Sequence, residues 1–255
     1  MFEKYLIKYK KNLFDELSKI TEYEKVTKKG RHGAVLVDSR NDVVPIVRTT
    51  TIYNKPAQKF SQIHYDIMND IKKISKNDNV GFNNALIEIY DTNYCTMGLH
   101  SDQSLDLADD SYICVFSCYD DPSTKDIRKL VINKKGTDTF SEIYMEHNFV
   151  IIWPLATNSE YLHKIILDTK FSNDQWLGIT FRLSKTFIKF INNEPYFYPP
   201  KKNNEDNNDE LKKIRLADDN ERKYFFKCRG FENKNVSYKY DDIDFTISPS
   251  DLMAC

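Results

Sequence analysis

Apolar residues recur at steps of three and four over residues 2–20, where Phe2, Leu6, Tyr9, Leu13, Leu17 and Ile20 share one side, and this spacing predicts an amphipathic helix. A second helix is predicted over residues 60–76, FSQIHYDIMNDIKKISK, with Ile63, Ile67, Ile71 and Ile74 on one stripe and Asn77, Asp78, Asn79 and Gly81 ending it. Between them, residues 30–52 carry the β-type pieces AVLVD and VVPIVRTTTIY, broken by SRND and Pro45. From 84 to 185 the pattern changes to short apolar runs between polar turns: ALIEIY, YICVFSCY, KLVIN, NFVIIWP, HKIILD and WLGITFRL. Such runs with no helical period between them predict a sandwich, barrel or jelly roll.

The tract PPKKNNEDNNDE, residues 199–210, has no apolar residue and reads as a linker or loop. YFFKCRGF and IDFTISPSDL beyond it are apolar enough to dock. The expected organisation is helices and outer strands over residues 1–83, a β-rich core over 84–198, a linker or loop over 199–212 and a docked C-terminal extension over 213–255.

Composition narrows the setting. The chain has 255 residues, 40% of them hydrophobic, enough for a substantial core, and its 16 Tyr and 16 Phe suit pleated, half-buried surfaces. Basic and acidic residues nearly cancel, 37 against 38, which excludes a global positive field of the kind that drives non-specific nucleic-acid binding, though not a local basic groove. Five cysteines with no C-x-x-C, and an opening MFEKYLIKYKKN unlike a cleavable signal, give an expected intracellular location, cytoplasmic or nuclear. No apolar run approaches the roughly 20 residues that span a bilayer, so no membrane partner is expected. Oligomeric state is not encoded in any pattern visible here.

The candidate chemistry lies in His100-Ser101-Asp102. On an extended segment, residues two apart point to the same face, so this triplet offers two metal ligands at once. A second histidine, His163, opens the run HKIILD. Two imidazoles and one carboxylate form the facial ligand set of non-haem Fe(II) oxygenases. His147, beside the run NFVIIWP, competes for the distal histidine role.

The series ALIEIY, GLHSD, LHKIIL and WLGITFRLS, with a strand ending in Trp-Pro before the second histidine, resembles the Fe(II)/2-oxoglutarate dioxygenase superfamily and within it the AlkB-like oxygenases. The resemblance covers roughly residues 84–185 and implies an α+β protein with a double-stranded β-helix (jelly-roll) core and flanking helices. It implies His100, Asp102 and His163 as iron ligands, with Fe(II), 2-oxoglutarate and O2 as cofactor and co-substrates, and it leaves His147 in a turn. It further implies Arg182, Tyr90 and Ser184 as contacts of the oxoacid, a guanidinium being a bidentate fork for a carboxylate. The pattern departs at two positions. AlkB-like proteins carry a second arginine six residues before the first, where this chain has Trp176, and an Asn where it has Glu88. Either Arg182 serves near the metal and the far carboxylate is held differently, or Arg182 and Ser184 grip that carboxylate together. A carboxylate at Glu88 facing a dianion is repulsive unless it is paired or protonated.

The resemblance also implies a recognition lid over about residues 31–60, with Arg31, Arg40, Arg48, Tyr53 and Lys55 as its cationic and aromatic members. Three functions stay open: an oxygenase hydroxylating a C–H bond, including demethylation of alkylated nucleic acid; a 2-oxoglutarate-dependent protein hydroxylase; and a binding module that keeps the fold without catalysis. Substrate-binding residues are not identified by the sequence.

Overall fold

The computed structural model describes residues 1–27, 29–199, 201–202 and 209–255; the centre of the expected linker, residues 203–208, lies outside them. In chain order the elements are β1 (Glu3–Leu6), α1 (Phe14–Ile20), β2 (Glu24–Lys25), β3 (Arg31–Val37), β4 (Val43–Pro45), β5 (Gln58–Lys59), α2 (Gln62–Ser75) and β6 (Asn84–Tyr90). There follow β7 (Tyr112–Tyr119), β8 (Lys129–Lys134), β9 (Phe140–Tyr144), β10 (Phe149–Pro154), α3 (Leu155–Glu160), β11 (Tyr161–Ile166), β12 (Trp176–Arg182), β13 (Phe187–Ile191) and β14 (Glu194–Tyr198). The C-terminal part adds β15 (Lys201–Lys202), β16 (Asp209–Glu210), β17 (Arg215–Leu216), α4 (Asp219–Lys234) and β18 (Phe245–Thr246).

The protein is mainly antiparallel β-structure with few helices. The larger sheet has the order β1-β10-β7-β12-β6-β3-β2, with β5 parallel to β3, and a smaller sheet has the order β11-β8-β9. Alternation along each central strand divides the larger sheet into two working faces. Leu177, Ile179 and Phe181 of β12, Cys114, Phe116 and Cys118 of β7, and Ala85, Ile87 and Ile89 of β6 pack with Phe14 and Leu17 of α1 and Ile63, Ile67 and Ile71 of α2. On the other face Tyr90, Ile113, Val115, Tyr119, Trp153 and Trp176 meet Leu130, Ile132 and Ile165 of the smaller sheet. Because both faces are covered, these strands read as nearly continuous apolar runs. No helix among the described residues is long and apolar enough to cross a membrane.

The helix predicted over 60–76 is α2, and its stripe of isoleucines is the buried one. The helix predicted over 2–20 is a correction: residues 3–6 pair antiparallel with β10 as an edge strand, and only 14–20 are helical. Phe2 packs on Trp153 and Tyr161 instead of joining a helical stripe. An unpaired edge on β10 is the stronger local demand, since main-chain groups there would otherwise lack partners.

His64 closes the N-terminus of α2, accepting the Ser61 N–H at Nδ1 (3.0 Å) while its Nε2 is buried without a partner. Burial pushes its pKa down from 6.5 to about 4. The folded chain thus refuses a proton that the unfolded chain accepts, and the stability carried by this site is full above pH 6.5 and is lost as pH falls towards 4. His64→Asn, which keeps an acceptor at the cap, is expected to flatten the acid-side loss by on the order of 2 kcal/mol. Chemical denaturation between pH 4 and 7 checks it, and an unchanged slope in the variant contradicts the assignment.

Candidate metal centre

The segment before Asp102 runs antiparallel beside the outer edge of β11. Thr96 bridges Ile166 and His100 bridges His163, the last two exchanging both main-chain hydrogen bonds at 3.0 and 2.7 Å. Facing residues in such a pair put their side chains on one side. The two imidazole rings lie 4.7 Å apart, and Asp102, two residues on, closes the group. Asp102 Oδ1 is 3.9 Å from His100 Nε2 and 3.5 Å from His163 Nε2, and one ligand atom from each of the three residues falls within 4.8 Å of the others. Among the described residues this is the one group of three or more His, Cys, Asp or Glu that converges in this way.

The electrostatics match the geometry. Burial works to raise the Asp102 pKa, but Arg182, whose Nε donates to Oδ2 at 2.7 Å, and then His163 override it and hold the carboxyl well below the usual carboxylate range. His100 is pushed down to about 4, by burial first and by His163 next, so it is neutral at pH 7. Its Nδ1–H donates to the Gly98 carbonyl (2.9 Å), which turns the Nε2 lone pair towards Asp102. Two imidazoles and an anionic carboxylate, with one oxygen anchored and the other facing them, are a donor set that fits a divalent ion such as Fe(II).

A scaffold from elsewhere in the chain holds this loop. Asn158 of α3 grips the Asp102 peptide at both ends, accepting from its N–H at 2.8 Å and donating to its carbonyl at 2.9 Å. From α4, Arg229 donates to the Ser101 carbonyl (2.5 Å), Asn233 accepts from Ser101 N–H (3.0 Å), and Glu232 accepts from Ser104 N–H (3.0 Å). A buried Arg48–Asp106 ion pair at 2.9 Å fixes the loop's exit. Gln103 has both amide atoms buried without partners and lines the same cavity as the three ligands. No local sequence period points to Asn158, Arg229 or Asn233, because each acts across more than one element.

Arg182 and Tyr90 line that cavity. Arg182 is committed to Asp102 and to the Thr180 carbonyl. Tyr90 donates its hydroxyl proton to Glu88 at 2.5 Å. Ser184 lies outside the cavity lining, its hydroxyl directed to the main-chain carbonyls of Ile46, Asp106 and Thr186. Glu88 does face the cavity, and it is paired: Arg31 and Tyr53 donate to Oε1 and Tyr90 to Oε2. Burial raises its pKa, yet Arg31 first and the two phenols after it bring it below the ordinary value. Trp176 shares the inner face with Arg182; its indole lies over Gly178, where an added Cβ would meet the ring at 2.0 Å, and its Nε1 donates to Ser117. His147 accepts the Tyr119 N–H at Nδ1 and is not part of the cavity.

The expected lid residues divide. Arg31, Arg48 and Tyr53 are drawn inward onto Glu88 and Asp106, each acid offsetting the cost of burying the guanidinium beside it, and Arg40 and Lys55 remain at the surface. Residues 31–37 form a strand of the larger sheet, in register with β6.

No protein-family model and no curated protein matches the chain. Among solved structures, that of OsALKBH1 superposes with a TM-score of 0.43 and 13% sequence identity, over 63% of this chain and 83% of that one.

Two measurements probe the centre. His163→Ala is expected to lower affinity for Fe(II), or for Mn(II) as a redox-stable probe, by at least about 100-fold, and Asn233→Ala by about tenfold through a loosened ligand loop. Anaerobic calorimetry reads both, and wild-type affinity in His163→Ala would remove the centre.

Proposed function

We propose that the protein is an Fe(II)- and 2-oxoglutarate-dependent oxygenase, AlkB-like, that hydroxylates a substrate C–H bond. The observation that carries this reading is the convergence of His100, Asp102 and His163, with Arg182 holding Asp102 ionised. The strand order supports a double-stranded β-helix core: β10-β7-β12-β6 in one sheet faces β11-β8-β9 in the other, with the segment at Thr96 and His100 along the outer edge of β11.

When bound, Fe(II) with 2-oxoglutarate and O2 supplies the oxidising power, the oxoacid ending as succinate and CO2 and the substrate as an alcohol, or as formaldehyde plus a demethylated product where the carbon is an N-methyl group. The residues of the chain set the conditions for it. His100 and His163 present ring nitrogens on one side of the centre, and Asp102 presents an anionic oxygen whose partner oxygen is pinned by Arg182. Val47, Leu86, Met97, Leu130 and Ile165 line the cavity with apolar surface that limits water.

Arg48 is buried on Asp106, and Arg31 sits on Glu88 inside the cavity of the three candidate ligands, so neither stands at the surface where a phosphate backbone would run. This favours the second reading, a hydroxylase of protein side chains, over a dedicated nucleic-acid demethylase. Five cysteines without a disulfide, three of them buried, support an intracellular location.

Anaerobically prepared protein given Fe(II), 2-oxoglutarate and O2 is expected to release succinate slowly without substrate, and His100→Ala to release none. Turnover measured on methylated DNA and RNA oligonucleotides beside a peptide panel separates the two substrate classes. Wild-type protein that binds iron but forms no succinate with any of them would sink the oxygenase reading in favour of a binding module.

A further inference from the structure

Trp176 occupies the face position at which a second arginine on β12 would stand, so a far carboxylate of the oxoacid needs another cation. Four arginines surround this end of the molecule. Arg182 is bound to Asp102, and Arg229 to Glu232 and the Ser101 carbonyl. Arg128 lies against the rings of Tyr90 and Trp176 and donates to the carbonyls of Tyr94 (2.7 Å) and Asp91 (2.9 Å). The fourth, Arg31, faces Tyr90 across the β3–β6 ladder and lines the cavity.

Arg31 is held by one edge only. Its Nε and Nη2 both donate to Glu88 Oε1, at 2.9 and 2.5 Å, and Glu88 is in turn saturated by the hydroxyls of Tyr53 and Tyr90. The end of the guanidinium has only long contacts, Nη1 to the Tyr94 hydroxyl at 3.5 Å and Nη2 to Thr51 Oγ1 at 3.3 Å, both at or beyond ordinary hydrogen-bond length. Two N–H groups in a planar fork, flanked by two hydroxyls, are what a carboxylate accepts bidentately. Glu88 does not repel such a ligand as an isolated anion, since four donors already neutralise and orient it; its effect is to aim the free edge of Arg31.

We infer that Arg31, aimed by Glu88 and flanked by Thr51 and Tyr94, anchors the far carboxylate of a dicarboxylate 2-oxoacid and sets the enzyme's preference for that co-substrate; this rests on the oxygenase reading. The anchor is supplied by β3 and not by β12, and Trp176 over Gly178 forms an apolar wall of the same cavity.

The test is calorimetric titration of 2-oxoglutarate and of 2-oxovalerate, which lacks the second carboxylate, into full-length protein loaded with Mn(II) under anaerobic conditions. Wild type is expected to prefer 2-oxoglutarate. Arg31→Met is expected to weaken 2-oxoglutarate by on the order of tenfold or more, the worth of a charge-assisted hydrogen bond, and to change 2-oxovalerate by less than about twofold. Arg31→Lys should recover part of the loss. Where Arg31→Met does not fold, because Glu88 is left buried and unpaired, the double variant Arg31→Met/Glu88→Gln removes both charges and is read instead. Wild type that binds the two oxoacids equally, or a variant that loses both alike, overturns the anchor while leaving the oxygenase reading in place. Wild type that holds Mn(II) and binds neither oxoacid overturns both.

Discussion

The ion pair between Asp102 and Arg182 is the interaction on which the centre depends. Asp102 is buried, and a carboxyl in that position without a partner would take up a proton and lose its value as a ligand. The Arg182 Nε–H at 2.7 Å keeps it anionic, and fixes one oxygen so that the other faces the two histidines. A pair of this kind contributes little net stability, because desolvating two charges offsets most of their attraction. Its effect is geometric: it ties the ligand loop to β12, the strand that runs through the middle of the larger sheet.

That tie works because β12 is two-faced. Leu177, Ile179 and Phe181 fasten the strand to the helices, so the opposite positions, Trp176, Gly178, Thr180 and Arg182, are presented to the cavity with no freedom to slip register. The same alternation on β6 delivers Leu86, Glu88 and Tyr90 to the cavity while Ala85, Ile87 and Ile89 pack behind. The ligand loop, which is not part of a regular strand beyond His100, obtains its rigidity from Asn158, Arg229, Glu232 and Asn233 instead. The C-terminal helix α4 is therefore a structural member of the centre although it contributes no metal ligand.

What could be read from the sequence follows from which signals are local. His100 and Asp102 were legible as a pair because ligand chemistry restricts residue type and a period of two restricts spacing, whereas His163 was set apart from His147 by the resemblance alone; the fold brings the three together. The strands were legible as apolar runs, and α2 as a stripe of isoleucines. Residues 2–20 misled, because apolar positions three and four apart also occur by chance in an edge strand followed by a short helix, and the sequence does not say that β10 has an edge to cover. Glu88 looked like a repulsive charge for the same reason: its partner Arg31 is 57 residues away and meets it only through the β3–β6 register. Side chains that bond main chain across the fold, such as Asn158 on Asp102, leave no periodic trace at all.

The paired charges also constrain what the cavity can accept. Arg31 faces Glu88, Arg182 faces Asp102 and Arg229 faces Glu232, so the arginines and acids that line the cavity are already paired, while Arg128 behind Tyr90 and Trp176 meets main-chain carbonyls and ring faces. A divalent cation entering alone would add two uncompensated charges to a low-dielectric space, and a dianion entering alone would do the same with opposite sign. Together they are neutral. On the proposed oxygenase reading the two ligands compensate one another in this space, and the resulting coupling is reciprocal in binding free energy.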